Sequence, residues 1–404
     1  MTTDDDAREG IGGHVRAARM LAGLTQRQLA ERAHVSLSLV KQVEQGRVPA
    51  SPAFVAAVAR ALGVAAPELM GQPYQPRTVD DQRVHAIIPA LRRELAAYRL
   101  PPAVSAPPRP LNALAAAVAH ASRLRHSATL DTLGAELPGL LAELRAAAHA
   151  HNGHDRERVY GLLAEAYAAA GQVCWKLGHS DLSSLCTDRI EWAAGQSNDP
   201  LAMAAGDFYR AGELIAAAEW TGALTFLEQA RGRITGLLRR VDEAAVAMHG
   251  VLHLKSGLAA ARAGDAPASD AHLAEAADAA RHVTPGSDHY RLAFDADSVR
   301  IWSVGLAVER RDGTEAVKRA ADFTPGRTTP RERAGHHWID LARGFQLHGQ
   351  RDKALHSLLL ARQTSPQQTR YHPQVRETVV TLAEQERRRS DTIAGFARWA
   401  GIRV

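Results

Sequence analysis

The chain of 404 residues has no apolar run approaching the roughly 18 residues that a membrane-spanning helix needs. It has only two cysteines, Cys174 and Cys186, and no CxxC or Cys/His spacing. A disulfide framework and a structural zinc site are therefore excluded. Buried structural thiols are the expectation for the pair, although a hairpin would let them approach one another. Aromatic residues make up 5% of the chain, and alanine is abundant, which favours closely packed helices over sheets. No nucleophile elbow, phosphate-binding glycine loop or H-E-x-x-H occurs, so no catalytic residues are assigned and the chain is not read as an enzyme. His149, His151 and His154 lie in a turn-like stretch with no fourth ligand, and they are read as solvated. Neither metal nor cofactor is expected. The acidic stretch from Met1 to Asp6 lacks an apolar h-region, so a cytoplasmic protein with no membrane partner is expected.

Sustained strand-like alternation is absent as well, and the expected fold class is all-α. Residues 1–10 read as a disordered tail, and 11–72 as a compact run of short helices. Residues 73–110 read as a connecting helix, from about Val79 to Tyr98, followed by a stiff proline-rich linker. Residues 111–372 alternate long alanine-rich helical stretches with turn signals such as Gly178-His179, Asn198-Asp199-Pro200 and Gly264-Asp265. That spacing predicts about five stacked helical hairpins in a right-handed superhelix. Residues 373–404 read as a long capping or dimerisation helix, from Val375 to Trp399.

Charge is distributed unevenly. The net charge of +5 is modest, but 11–74 carries seven basic residues (Arg16, Arg19, Arg27, Arg32, Lys41, Arg47, Arg60) against Glu31, Glu44 and Glu68. Such a surplus on a small segment suits a polyanion such as DNA. In the same segment Thr25 with Gln28 forms a capping-box pattern, and Ser36 caps a further helix running from Leu37 to Gln45. Val40 and Val43 would face inward, leaving Leu37, Ser38, Lys41, Gln42 and Gln45 outside. Two short helices joined by a tight turn are the unit that sets a second helix into the major groove. Gln42 suits a bidentate base contact, Lys41 a guanine or phosphate, Ser38 either, and Leu37 a thymine methyl. Gln26 and Gln28, at the start of the preceding helix, and Arg47, just past the second, complete the expected set of DNA contacts.

The run from Leu24 to Ala30, then Val35-Ser36 and Val43 to Gly46, resembles the Cro/phage-repressor (XRE) helix-turn-helix family. Ala59 to Val64 and Glu68 to Met70 fit the last two helices of that five-helix domain. The resemblance implies that Ser36, Leu37, Ser38, Lys41 and Gln42 read bases and that Gln26 holds a phosphate. It also implies that Arg19 and Glu44 form a structural ion pair. His34 stands where the family has glycine at a left-handed turn, a conformation histidine tolerates better than most residues. With one lysine and several neutral side chains on the reading face, a homodimer on a palindromic operator is expected.

Trp338, Leu341, Ala342 and Phe345, followed by Ala354, Leu358, Ala361 and Pro366, resemble the tetratricopeptide repeat. The expected architecture is thus a helix-turn-helix domain followed by an α-solenoid of such hairpins. This arrangement is similar to that of the cytoplasmic peptide-pheromone receptors of Gram-positive bacteria, which implies a quorum-sensing repressor with a peptide effector. Those receptors clamp peptide with asparagines, whereas this chain has only Asn112, Asn152 and Asn198, so a small-molecule effector stays open beside a peptide. Tyr209, Arg210, Tyr290, Arg291 and Trp302 are the candidate ligand residues, chosen for aromatic and polar adjacency. A scaffold whose repeats bind a protein partner, with an antitoxin-like helix-turn-helix, is the alternative.

Overall fold

The computed structural model describes residues 10–74, 79–102, 107–239, 242–385 and 391–402. They are almost entirely helical, with no strand among them. The expected tail falls outside the described residues except for Gly10, as do parts of the proline-rich stretch and of the charged run after Glu384.

Five helices build the first unit: α1 (Ile11–Leu21), α2 (Gln26–Arg32), α3 (Leu37–Glu44), α4 (Pro52–Leu62) and α5 (Ala66–Leu69). Their ends are set locally. Ser36 Oγ accepts from the Leu39 amide at 3.1 Å, and Ser51 Oγ from Phe54 at 3.2 Å. Val15, Leu29, Val40, Phe54 and Val58 close a core with almost no exposure. Each such side chain contributes about 1.5–3 kcal/mol by leaving water. Gly12 lets α1 lie directly on α3, since a Cβ there would sit 2.1 Å from the Val43 carbonyl oxygen.

Residues expected as a single connecting helix form two, α6 (Val79–His85) and α7 (Ile88–Ala96), broken ahead of Pro89. Both belong to the core of the array, because Val84, Ile88, Leu91 and Leu95 are buried with residues of the helices that follow. Those helices come in six consecutive pairs, one more than the turn spacing suggested. They are α8 (Leu111–His126) with α9 (Leu130–Ala150), α10 (Gly153–Lys176) with α11 (Ser180–Gln196), and α12 (Pro200–Ala216) with α13 (Trp220–Leu238). Next come α14 (Glu243–Ala263) with α15 (Ala266–Ala280), α16 (Ala296–Glu309) with α17 (Gly313–Ala320), and α18 (Arg331–Leu347) with α19 (Arg351–Thr364). Small residues sit at the contacts: Ala223, Ala260, Ala276, Ala342, Ala354 and Ala361 are fully buried.

After α19 come α20 (Pro366–Tyr371), α21 (Pro373–Gln385) and α22 (Asp391–Ala400); the stretch read as a terminal helix from Val375 to Trp399 is helical wherever it is described, with 386–390 outside the described residues. Val375, Val379, Leu382, Ile393 and Phe396 bury against α18 and α19, covering the end of the array. The array also bridges from early to late helices. Lys176 of α10 donates to Glu332 of α18 at 2.9 Å and to Gln368 of α20 at 2.5 Å, with all three buried.

The five-helix unit sits between the α12–α13 turn and α21. Trp220 packs on its core, and Arg60 donates to the Ala218 carbonyl at 3.1 Å. On the other side the Ala50 amide donates to Glu377 Oε1 at 2.9 Å, and Gln385 reaches the Arg47 carbonyl at 3.4 Å.

Candidate nucleic-acid interface and ligand cavity

The turn between α2 and α3 is built by sequence-local chemistry. Thr25 and Gln28 form a reciprocal cap: Thr25 Oγ1 accepts from the Gln28 amide at 3.2 Å, and Gln28 Oε1 accepts from the Thr25 amide at 2.9 Å. His34 takes the left-handed position with φ 53°. The Ser36 cap then starts α3 at a fixed angle.

Behind the turn lies one carboxylate. Glu44 accepts from Arg19 Nε at 2.7 Å and Arg19 Nη2 at 2.9 Å, while Arg19 Nη1 donates to the Leu24 carbonyl at 2.8 Å. Gln26 Nε2 also donates to Glu44, at 2.7 Å. The Glu44 bond is the main reason the Arg19 guanidinium is held above its usual pKa. Three helices are thereby tied through a side chain only 4% exposed.

The outward face of α3 is different. Ser38, Lys41 and Gln42 are exposed and form no side-chain hydrogen bond among the described residues. Arg47 is exposed beside them. Ser36 is exposed, but its hydroxyl is engaged in the cap, and Leu37 is half buried against the unit's core. Gln26 and Gln28, expected at phosphate, are placed with their amides on Glu44 and on the Thr25 amide. With Arg19 neutralised by Glu44 and Arg60 facing Glu219 at 3.7 Å, Arg16, Arg27, Arg32, Lys41 and Arg47 remain exposed. Within the unit Glu31 and Glu68 stand against them, and the Glu384 carboxylate of α21 lies against Gly46 beside Arg47.

A separate cavity of about 580 Å³ opens between α8, α10 and α12, a volume suited to a small organic ligand. Leu111, Ala115, Leu162, Ala168 and Ile190 supply apolar wall, and Glu157, Arg158, Glu165 and Asp199 supply charge. Two of the five residues expected at a ligand, Tyr209 and Tyr290, line it. Arg291 lies behind the wall with Nε 2.9 Å from Glu165. Arg210 instead pairs with Asp188 and Glu191 of α11, and Trp302 packs in the core between α12 and α16. Glu165 and Asp199 were missed, and no local pattern marks them. Desolvation raises the Glu165 carboxyl above its ordinary pKa even with Arg291 beside it.

The two thiols meet across the α10–α11 hairpin. Both are fully buried and free, and hydrogen bonding to Cys174 together with burial pushes the Cys186 thiol well up. No helix among the described residues is long and apolar enough to cross a membrane.

Residues 11–70 match the family model described as a helix-turn-helix domain. No curated protein matches the chain.

Proposed function

We propose that the chain is a sequence-specific DNA-binding transcription regulator whose helical array senses a small ligand. The observation that carries the first part is the exposed, unpartnered Ser38–Lys41–Gln42 face on a helix whose angle is fixed by the Arg19–Glu44–Gln26 cluster. A flexible presentation would lose much of its specificity to ordering, whereas this face is pre-organised. In this reading Ser38, Lys41 and Gln42 contact base edges, with Ser36 and Leu37 at the margin of the contact. Arg16, Arg27 and Arg47 neutralise phosphates and set the register. Gln26 and Gln28 act in the frame. One such helix gives limited discrimination, so two copies reading a palindrome are proposed.

The sensing part is supported by the cavity and by the clamping of the helix-turn-helix unit between the α12–α13 turn and α21, which gives the array a mechanical hold on it. Selection from a random duplex library with the full-length protein identifies the preferred site. Lys41→Ala and Gln42→Ala each cost about 1–3 kcal/mol on that site. Failure to enrich any sequence refutes the regulator reading. Equal weakening on all duplexes moves both residues to phosphate contacts. Sedimentation with and without duplex reports the two-copy stoichiometry.

A further inference from the structure

Most turns that close the helix pairs are short, such as Leu177–His179 and Ala217–Glu219. The connection from α15 to α16, residues 281–295, is much longer, and it folds back onto helices that are distant in sequence. Asp288 accepts from His126 Nε2 at 3.1 Å, and Arg125 donates to the Arg291 carbonyl. The Tyr290 hydroxyl donates to Asp199 Oδ2 at 2.7 Å, and Arg291 Nε to Glu165 Oε2 at 2.9 Å. Tyr290, Arg291 and Ala293 all have positive φ, at 49°, 60° and 48°. Non-glycine residues keep that conformation only when their surroundings enforce it. The loop is therefore held under strain by the groups it satisfies on the cavity wall.

Its contacts define what the cavity accepts. Glu165 is a half-buried carboxylate satisfied by a guanidinium, and Asp199 receives a neutral O–H. Beside them lie the Tyr209 ring and the aliphatic wall of Leu111, Leu162 and Ile190. An anionic ligand would meet Glu157, Glu165 and Asp199, with Arg158 the one lining arginine. A neutral ligand that moved the loop would strip the half-buried Glu165 carboxylate of its hydrogen-bonded cation, Arg291, with nothing in exchange. A cation on an apolar or aromatic body replaces both the charge and the ring, and it gains from the tyrosine face as well.

We propose that this cavity is a binding site for a small organic cation, an amine or guanidine on an apolar or aromatic body, which takes Glu165 from Arg291 behind the wall and displaces the loop that carries Tyr290 and Arg291. The inference rests on the reading of the array as the sensing part, and it names the ligand class. Release of 281–295 also frees His126 and Arg125 of α8 and relaxes Leu292 and Phe294, which are buried in the α12–α16 core. The loop thus connects the cavity to the packing of the array.

Calorimetric titration of the full-length protein tests it, with tryptamine, phenethylamine and agmatine as probes. Tryptophol and indole-3-acetate supply the same ring with a neutral and an anionic end. At least one amine is expected to bind at least tenfold more tightly than both controls. Glu165→Gln is expected to weaken that amine at least tenfold. Arg291→Ala, which removes the internal competitor, is expected to strengthen it at least threefold, and a merely structural arginine would not do so. Should Glu165→Gln fail to fold, Arg291→Ala decides alone. Equal binding of tryptamine, tryptophol and indole-3-acetate, no binding by any amine, or unchanged or weaker binding by Arg291→Ala overturns the proposal. Duplex affinity is measured separately. Amine binding that leaves it unchanged upholds the site and removes the sensing reading, whereas loss of sequence-specific binding in the absence of amine refutes the regulator itself.

Discussion

Replacing Glu377 with glutamine tests how the helix-turn-helix unit is attached to the rest of the chain. Glu377 projects from α21, is only 7% exposed, and accepts from the backbone amides of Ala50 and Ile11. Burial is the largest influence on its carboxyl, and Glu384 pushes in the same direction, while the two amides oppose them. The result is a pKa raised from 4.5 to about 7. Tyr74, whose ring lies under Arg376 at 4.1 Å, faces the same region, so a cation and a phenol border the group too. Because the folded pKa lies above the unfolded one, the folded state binds the extra proton between about pH 4.5 and 7. Stability is therefore highest at the acid end of that window and falls as pH rises through it. At 1.36 kcal/mol per unit the full loss is about 3 kcal/mol. Glutamine keeps an oxygen for the Ala50 amide and does not ionise. Urea unfolding of both proteins at half-unit steps from pH 4.5 to 8 is expected to show Glu377→Gln gaining about 3 kcal/mol relative to wild type across the window. A difference constant to within about 0.5 kcal/mol would refute the reasoning, since it would mean that Glu377 titrates normally and that the seam is wet.

Glu44→Ala strands the Arg19 guanidinium and the Gln26 amide, and is expected to cost about 3–5 kcal/mol in the unfolding of the first unit, measured by amide exchange in 11–70. Duplex binding should fall with it although Glu44 is turned away from the reading face. Gly12→Ala drives a Cβ into the Val43 carbonyl, where the obstacle is backbone and cannot swing away. It should destabilise the unit by about 1–3 kcal/mol and reduce duplex binding, and an unaffected variant would show that α1 and α3 can separate freely. Cys174 and Cys186 should resist an aromatic disulfide reagent in the native protein and react only on unfolding, because neither is exposed and Cys186 is held as the thiol. Rapid native labelling would contradict the packing of α10 on α11.

The helix-turn-helix unit was legible because its determinants are short-ranged. Thr25 and Gln28 cap each other across three residues, Ser36 caps Leu39, and Val40 and Val43 share one face of a single helix. Helical hairpins were legible for the same reason, through turn residues and buried alanines. The number of pairs was less so: α17, at eight residues, is short for the second helix of a hairpin.

Sequence by itself determined the all-α class, the start and stop of α3 and, apart from the half-buried Leu37, its exposed face. These depend on caps, turns and a period of 3.6 residues, all of which act within a turn or two of the chain. Only the tertiary structure decided which side chains meet across long separations. Glu377 finds Ala50 over 327 residues, Arg291 finds Glu165 over 126, and Tyr290 finds Asp199 over 91. A single carboxylate carries no local mark of the partner it will face. The loop beside the cavity therefore reads in sequence as an ordinary connection, and its ties to Glu165 and Asp199 exist only once the array brings α10 and α12 against it.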